Sequence, residues 1–330
     1  MTSTADIDVA VQEAAAILRR GGLVAFPTET VYGLGADAEN PEAVARIFAT
    51  KGRPANHPVI VHIGCAEQLE HWAADIPPLA WQLVQRFWPG PLTLILKRHA
   101  RVSDAVTGGQ DTVGLRVPDH PVALALLAAF GGGIAAPSAN RFGRLSPTAA
   151  AHVRAELGDT VDYILDGGPC QVGIESTILD LSGGYPRQLR PGAITPAEIE
   201  AVLGQPLAAA LGDAPRVPGA LPSHYAPQTP LALIPSHDLK AEVTRRLKKG
   251  ERVAVLARVA AAPPVNCVWQ VMPADPAGYA RELYARLRAL DALRADCLLI
   301  EAPPHEAAWQ AVRDRLARAA QTELGDAGRP

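Results

Sequence analysis

Cysteine is scarce in this chain. Its 330 residues include only Cys65, Cys170, Cys267 and Cys297. None forms a C-x-x-C pair, and no nearby histidine completes a metal set, so neither a zinc ribbon nor a redox dithiol is read here. Buried, reduced thiols are the expectation. Long apolar runs are also absent. Apolar residues make up 48% of the chain, yet no stretch approaches the length needed to span a bilayer. The opening MTSTADIDVAVQEAAAILRR spaces its apolar side chains instead of joining them, so it has no signal-peptide core. A basic excess is missing too: net charge is −3 and the isoelectric point about 6.3. That argues against non-specific nucleic-acid binding through a basic surface, though not against a local basic pocket. Walker A and H-E-x-x-H motifs do not occur, and GERVAVL (250–256) is not followed by G-x-G-x-x-G. No serine–histidine–aspartate order and no activated cysteine stands out. A soluble, cytoplasmic protein is expected.

What is present is a chain of two-domain length. Val11, Ala14, Ala15 and Leu18 share a helical face, with Asp6 or Asp8 as the expected cap and Gly21-Gly22 as the stop. Strands are predicted at LVAFPT (23–28), VIVHI (59–63), LTLILK (92–97), TVGLRVP (112–118), GIAAPSAN (133–140), YILD and ESTILDLS. Helices are predicted from Asn40-Pro41, around Leu79–Phe87, through VALALLAAF and from a Ser146-Pro147 cap to Gly158. Thr195 and Glu198 form a capping box for a last helix that ends at Gly204. This intermixing predicts an α/β domain over 1–205, a twisted open mixed sheet with helices. Residues 206–230 contain a proline-rich stretch, DAPRVPGALPSHYAPQTP (213–230), expected to be a stiff linker. From 231 to 330 a smaller α/β, Rossmann-like domain follows, with strands at LALIP, RVAVLARV, VWQVMP and CLLIEAP.

Polar residues gather at the predicted strand ends of the first domain. PTETVYGLG (27–35) exposes hydroxyls before two glycines, as a ligand-approaching turn or an ordinary glycine turn would. KGRPANHP (51–58) puts Lys51, Arg53 and His57 on a proline-stiffened loop, where Arg offers a planar fork and Lys a point charge to an anion. His62 sits within a strand, a position more often filled by a satisfied core histidine. APSANRFGRLSPT (136–148) supplies Ser138, Asn140, Arg144 and Ser146, where backbone N–H and hydroxyl groups could hold phosphate. Arg116 and Arg190, in LRVP and LRPG, lie in apolar surroundings and each needs an anion; a structural carboxylate such as Glu175 is one partner to expect. The set holds many anion-binding groups and no convincing nucleophile, which suits catalysis by positioning and charge stabilisation.

PTETVYGLG, KGRPANHP with VIVHI, WPGPLTLIL, TVGLRVP, APSANRFG-x-x-SPT, GIESTILD, LRPGAIT and HYAP occur in this order. Together they closely resemble the threonylcarbamoyl-AMP synthase family, the YrdC-domain enzymes, in their longer two-domain form. The resemblance implies a nucleotidyltransferase that converts L-threonine, bicarbonate and ATP to threonylcarbamoyl-AMP and pyrophosphate, with Mg2+ accompanying ATP. It also implies hand-over of the product to downstream proteins that modify tRNA. By position, Lys51 and Arg53 would act on the phosphates and the carboxylated intermediate. Thr30, His62, Arg116, the backbone at Ala136 and Ser176 would hold threonine. Arg53, His57, Thr112, Ser138, Asn140, Ser146, Arg190, His224 and Tyr225 would line ATP. His57 stands where many relatives carry Asn. No protein metal ligand is implied, the cation being held mainly by the ATP phosphates. Two other readings are a non-catalytic RNA-binding module of the same fold and a carbamoyl transferase of the hydrogenase-maturation type. The acidic isoelectric point disfavours the first, so direct RNA binding is expected to be weak or absent. The second lacks its acylphosphatase and zinc-finger regions in this chain.

Overall fold

The structure, a computed structural model, describes residues 4–209, 214–219 and 225–320. Two compact units divide it: residues 1–142 with 146–220, and residues 143–145 with 221–330.

The first unit is built on a nine-stranded mixed sheet. In chain order its elements are α1 (Thr4–Arg19), β1 (Val24–Phe26), β2 (Gly33–Asp37), α2 (Pro41–Lys51), β3 (Ile60–His62), α3 (Leu69–Trp72), α4 (Pro78–Phe87), β4 (Leu92–Lys97), α5 (Asp104–Thr107), β5 (Thr112–Arg116), α6 (Pro121–Phe130), β6 (Ile134–Ala135), α7 (Ala150–Leu157), β7 (Tyr163–Ile164), β8 (Thr177–Asp180), β9 (Arg187–Arg190) and α8 (Pro196–Leu203). The strand order is β7-β1-β2-β6-β3-β5-β4-β8-β9. The β1–β7, β3–β5 and β4–β8 pairs are parallel and the other neighbours antiparallel, which is the mixed sheet expected from the intermixed helix and strand patterns.

Successive strand side chains point to opposite faces, and this alternation builds the site. Ala25, Val61, Leu94, Leu96, Val113, Leu115, Ala135 and Leu179 enter one core with residues of α2, α4 and α8. Their chain neighbours therefore face the other way. There, Val24, Phe26 and Ile134 pack under α1 and α6. Further along the same face lie Ile60, Ile95 and Ile178. His62, Thr93, Arg116 and Ser176 share that parity.

Local chemistry fixes the helix ends. Asn40 accepts from the Glu42 and Ala43 N–H groups at the start of α2, and Gly52 closes it in the left-handed region. Thr195 and Glu198 form the capping box of α8, and Gly204 ends that helix at φ 65°. Asp6 and Asp8, read as caps, lie within α1. Ser146-Pro147, also read as a cap, is not one: α7 starts at Ala150. The Ser146 hydroxyl instead donates to buried Glu175, and the Pro147 carbonyl accepts from Tyr32 N–H. The glycines after PTETVY do more than turn. Gly33 and Gly35 belong to β2, where a Cβ on Gly35 would stand 2.8 Å from both Phe26 Cε1 and Ile134 Cγ2. Backbone must pass there at the closeness only glycine permits.

Part of the predicted linker packs on this unit. Ala208 N–H donates to Pro186 O, and Val217 is buried against Ile60, Ile95 and Ile178. Arg216 is fastened by its N–H to Gln110 Oε1 (2.7 Å) and by Nη2 to Gly108 O (3.0 Å). A stiff spacer was the expectation; 214–219 is a strap.

The second unit contains β10 (Leu231–Ile234), α9 (Leu239–Lys248), β11 (Val253–Ala257), β12 (Cys267–Val271), α10 (Pro276–Asp291), β13 (Cys297–Glu301) and α11 (Gln310–Ala320). Its four strands are all parallel, in the order β10-β13-β11-β12. The α/β reading of this half holds.

Burying a valine side chain contributes about 1.5–3 kcal/mol. Val217→Ser should therefore raise the population of the released strap roughly 10–100-fold, and tryptic cleavage after Arg216 with it. Mass spectrometry of timed digests checks this; unchanged cleavage would show that Val217 does not hold the strap.

Candidate active site

Four strand ends and three loops bring polar groups together on the sheet face described above. The first loop, 27–32, is locked internally. Thr28 Oγ1 donates to Val31 O (2.7 Å) and accepts from the N–H groups of Thr30 and Val31. Thr28 Oγ1 also lies 2.8 Å from Thr30 Oγ1. Thr30 Oγ1 accepts from Arg116 Nη1 at 2.9 Å.

Arg116, at the end of β5, is buried. Its Nε donates to Gly90 O (3.1 Å), Nη1 to Thr30, and Nη2 pairs with Glu29 Oε1 at 2.5 Å. Glu29, and not Glu175, is therefore its anion. The second oxygen of Glu29 accepts from Asp119 N–H at 3.0 Å. Other titratable groups near Glu29 stay neutral. Burial pushes the Cys170 thiol up to about 12, and burial pulls His120 below the ordinary imidazole range. His62, the cross-strand partner of Arg116, sits edge-on to Phe26 with ring centroids 5.9 Å apart. Burial first, then the Arg116 charge, lowers its pKa to about 3, so it is a neutral imidazole at physiological pH.

Beside them, Ser176 Oγ lies 2.7 Å from Thr93 Oγ1 and accepts from Arg190 Nη2 at 3.0 Å. Arg190 also donates to Ser176 O and, at 2.8 Å, to Pro218 O of the strap. Carbonyls and a hydroxyl thus engage its fork.

The second loop carries the KGRP residues. Lys51 ends α2 buried, its Nζ donating to Ser138 O and Asn140 O, each at 2.5 Å. Burial, followed by the nearby Arg53 charge, pulls its pKa well below the ordinary lysine value. Lys51 thus clamps the third loop, 136–148, and keeps one N–H for a ligand. Arg53 Nη2 donates to Pro58 O (2.7 Å), and the guanidinium lies 5.9 Å from the Phe142 ring centre. His57 meets the same ring edge-on at 5.5 Å; burial, then Arg53 and Arg216, disfavours its protonation. Ala136 N–H donates to Ile60 O, which fixes the start of the third loop against β3. Asn140 Nδ2 donates to Arg141 O. Thr112 opens β5 opposite Lys97.

The structure thus joins Thr30, His62 and Arg116 in one group, Ser176 and Arg190 in a second, and Lys51, Arg53, His57, Ser138 and Asn140 in a third. Ser146 is turned to Glu175. Tyr225 belongs to the second unit, where it is buried at φ 62°, 5.8 Å from the Tyr284 ring and 5.3 Å from the Arg315 guanidinium carbon. A tyrosine in a proline-rich stretch had no evident packing partner in sequence; tertiary structure supplies two. His224 lies outside the described residues. Glu29 and Thr93 were missed. Glu29 carried a signal, a carboxylate in a polar strand end needing a buried cation; Thr93 carried none inside an apolar strand. Among the described residues, no three His, Cys, Asp or Glu side chains cluster to hold a metal, and no helix is long and apolar enough to cross a membrane.

The family profile Sua5_yciO_yrdC, described as telomere recombination, matches residues 16–192. A second, described as the C-terminal domain of threonylcarbamoyl-AMP synthase, matches residues 194–321. The threonylcarbamoyl-AMP synthase of Bacillus subtilis is 42% identical over 326 residues, covering 95% of this chain and 93% of that protein. This chain belongs to the threonylcarbamoyl-AMP synthase family. The Pyrococcus abyssi synthase is 40% identical over 94% of this chain and 93% of its own length. The crystal structure of P. abyssi Sua5 complexed with L-threonine superposes with a TM-score of 0.89 at 38% identity, covering 95% of this chain and 94% of that one. Membership of the synthase family thus extends over both units.

The His62 ring gives a pH signature. Between its lowered pKa of about 3 and the ordinary 6.5, the unfolded chain holds a proton that the folded chain rejects. Stability therefore falls as pH drops below about 6.5, by up to about 1.4 kcal/mol per unit, and is untouched above it. In urea titrations from pH 7 to 4, His62→Gln should flatten this decline by about one proton; an unchanged slope would place the ring in a wetter site.

Proposed function

We infer that this chain is an L-threonylcarbamoyladenylate synthase, a nucleotidyltransferase that makes threonylcarbamoyl-AMP and pyrophosphate from L-threonine, bicarbonate and ATP. The observation that carries the reading is the likeness, along 95% of the chain, to a protein crystallised with L-threonine. The buried guanidinium of Arg116 at the end of β5 supports it. Arg116 takes the threonine carboxylate through its fork. Thr30 hydrogen-bonds the substrate, the neutral His62 ring borders it, and Ser176 and the backbone at Ala136 complete the threonine subsite. Sites that hydrogen-bond a substrate hydroxyl reject analogues lacking it.

ATP lies along Arg53, His57, Thr112, Ser138, Asn140, Ser146 and Arg190. The threonine amine attacks bicarbonate carbon and water departs, leaving a carbamate. A carbamate oxygen then attacks the α-phosphorus as the bond to pyrophosphate breaks. Arg53 and the remaining Lys51 N–H stand against the charge that develops there. Mg2+ supplies charge neutralisation to the triphosphate when bound, its ligands being phosphate oxygens, and no side chain of this chain is assigned to it. The product passes to downstream proteins that modify tRNA in the cytoplasm, and direct RNA binding has no part in the reaction.

Pyrophosphate release should require threonine and bicarbonate together, with valine a poor substitute. Release with either omitted at the full rate, or equal turnover of valine, overturns the reading. Arg53→Ala should slow turnover by roughly 100- to 1,000-fold, about 3–4 kcal/mol of barrier, with unchanged melting. A near-normal rate would make the 51–58 loop a solvated face.

A further inference from the structure

We propose that Glu29 is the positioning residue that makes Arg116 selective for a carboxylate. The inference rests on the reading that Arg116 receives the threonine carboxylate. A guanidinium has five N–H donors in a rigid plane. Arg116 donates from Nε to Gly90 O and from Nη1 to Thr30 Oγ1, while Nη2 lies 2.5 Å from Glu29 Oε1 as an ion pair without hydrogen-bond geometry. Nη1 therefore keeps one N–H and Nη2 has none committed to a hydrogen bond, so the two can offer a pair of donors to the two oxygens of one incoming carboxylate.

Glu29 is what holds the plane in that setting. Its carboxylate lies between two groups, pairing with the Arg116 charge through Oε1 and accepting from Asp119 N–H through Oε2. It thereby ties the arginine to the turn that leads into α6, whose first residue is Pro121. A carboxylate carries charge and only accepts, so it suits the cation and the N–H at once. An amide cannot: one of its ends is NH2, which must face either the guanidinium or the Asp119 N–H, donor against donor. Glu29 is buried, and Arg116 is the one cation with which it forms an ion pair among the described residues. Glu29 acts through Arg116 and needs no contact with substrate.

The test uses the full-length chain and compares L-threonine with L-threoninamide, which lacks the carboxylate charge. Pyrophosphate release gives kcat/KM for each, and the melting temperature is recorded alongside. Wild type should prefer threonine by about 100-fold or more. Glu29→Gln should reduce that preference by about tenfold or more through a higher KM for threonine, leaving threoninamide turnover and the KM for ATP unchanged. Glu29→Asp keeps the charge but is one methylene short of bridging both donors, so it should lose part of the preference. It provides the comparison if the glutamine variant fails to fold. A wild type indifferent to the carboxylate would defeat the reading of Arg116 itself. A wild-type preference retained in both variants, or lost equally for both substrates with a falling melting temperature, overturns the role of Glu29.

Discussion

A buried guanidinium is the constraint on which this sheet face depends. Arg116 ends a central strand with its side chain on the face not filled by the main core. Removing the partner of a buried charge costs roughly 3–5 kcal/mol, so the surroundings must answer it. They do so from three directions: Glu29 from the loop after β1, the Gly90 carbonyl from the turn before β4, and Thr30 through a hydroxyl chain begun at Thr28. The neutrality of the adjacent His62 follows from the same charge and from burial. One cation thus fixes the conformation of two loops and the protonation of a neighbour.

The second arginine is held by a different set of groups. Arg190 donates to Ser176 and to the Pro218 carbonyl, which ties the end of β9 to the start of β8 and to the strap. Lys51 is likewise met by two carbonyls. Donors held in place by carbonyls are preorganised, because their geometry is set before any anion arrives. Around Arg116 the charge is balanced by Glu29.

Much of this was legible beforehand because it depends on short-range rules. Short apolar runs located β3, β4 and β5, capping chemistry set the start of α2 and both ends of α8, and the resemblance picked out the loops bearing Lys51, Arg53, Ser138 and Asn140. The misreadings share one cause. Gly33 and Gly35 read as turn residues because nothing local shows that Phe26 and Ile134 must lie against them. Ser146 read as a cap because its true partner, Glu175, is 29 residues away.

The amino-acid order by itself determined the α/β class, the helix limits and the residues with the chemistry to meet anions, since periodicity, capping and side-chain charge act over a few residues. Only the tertiary structure decided which anion answers which cation. A charge pair 87 residues apart, Glu29 with Arg116, exists because the loop after β1 and the end of β5 meet on one sheet face, and because a buried charge tolerates no vacancy. The same holds for the strap at 214–219: its prolines announced stiffness, but three isoleucines from three separate strands gave Val217 its place.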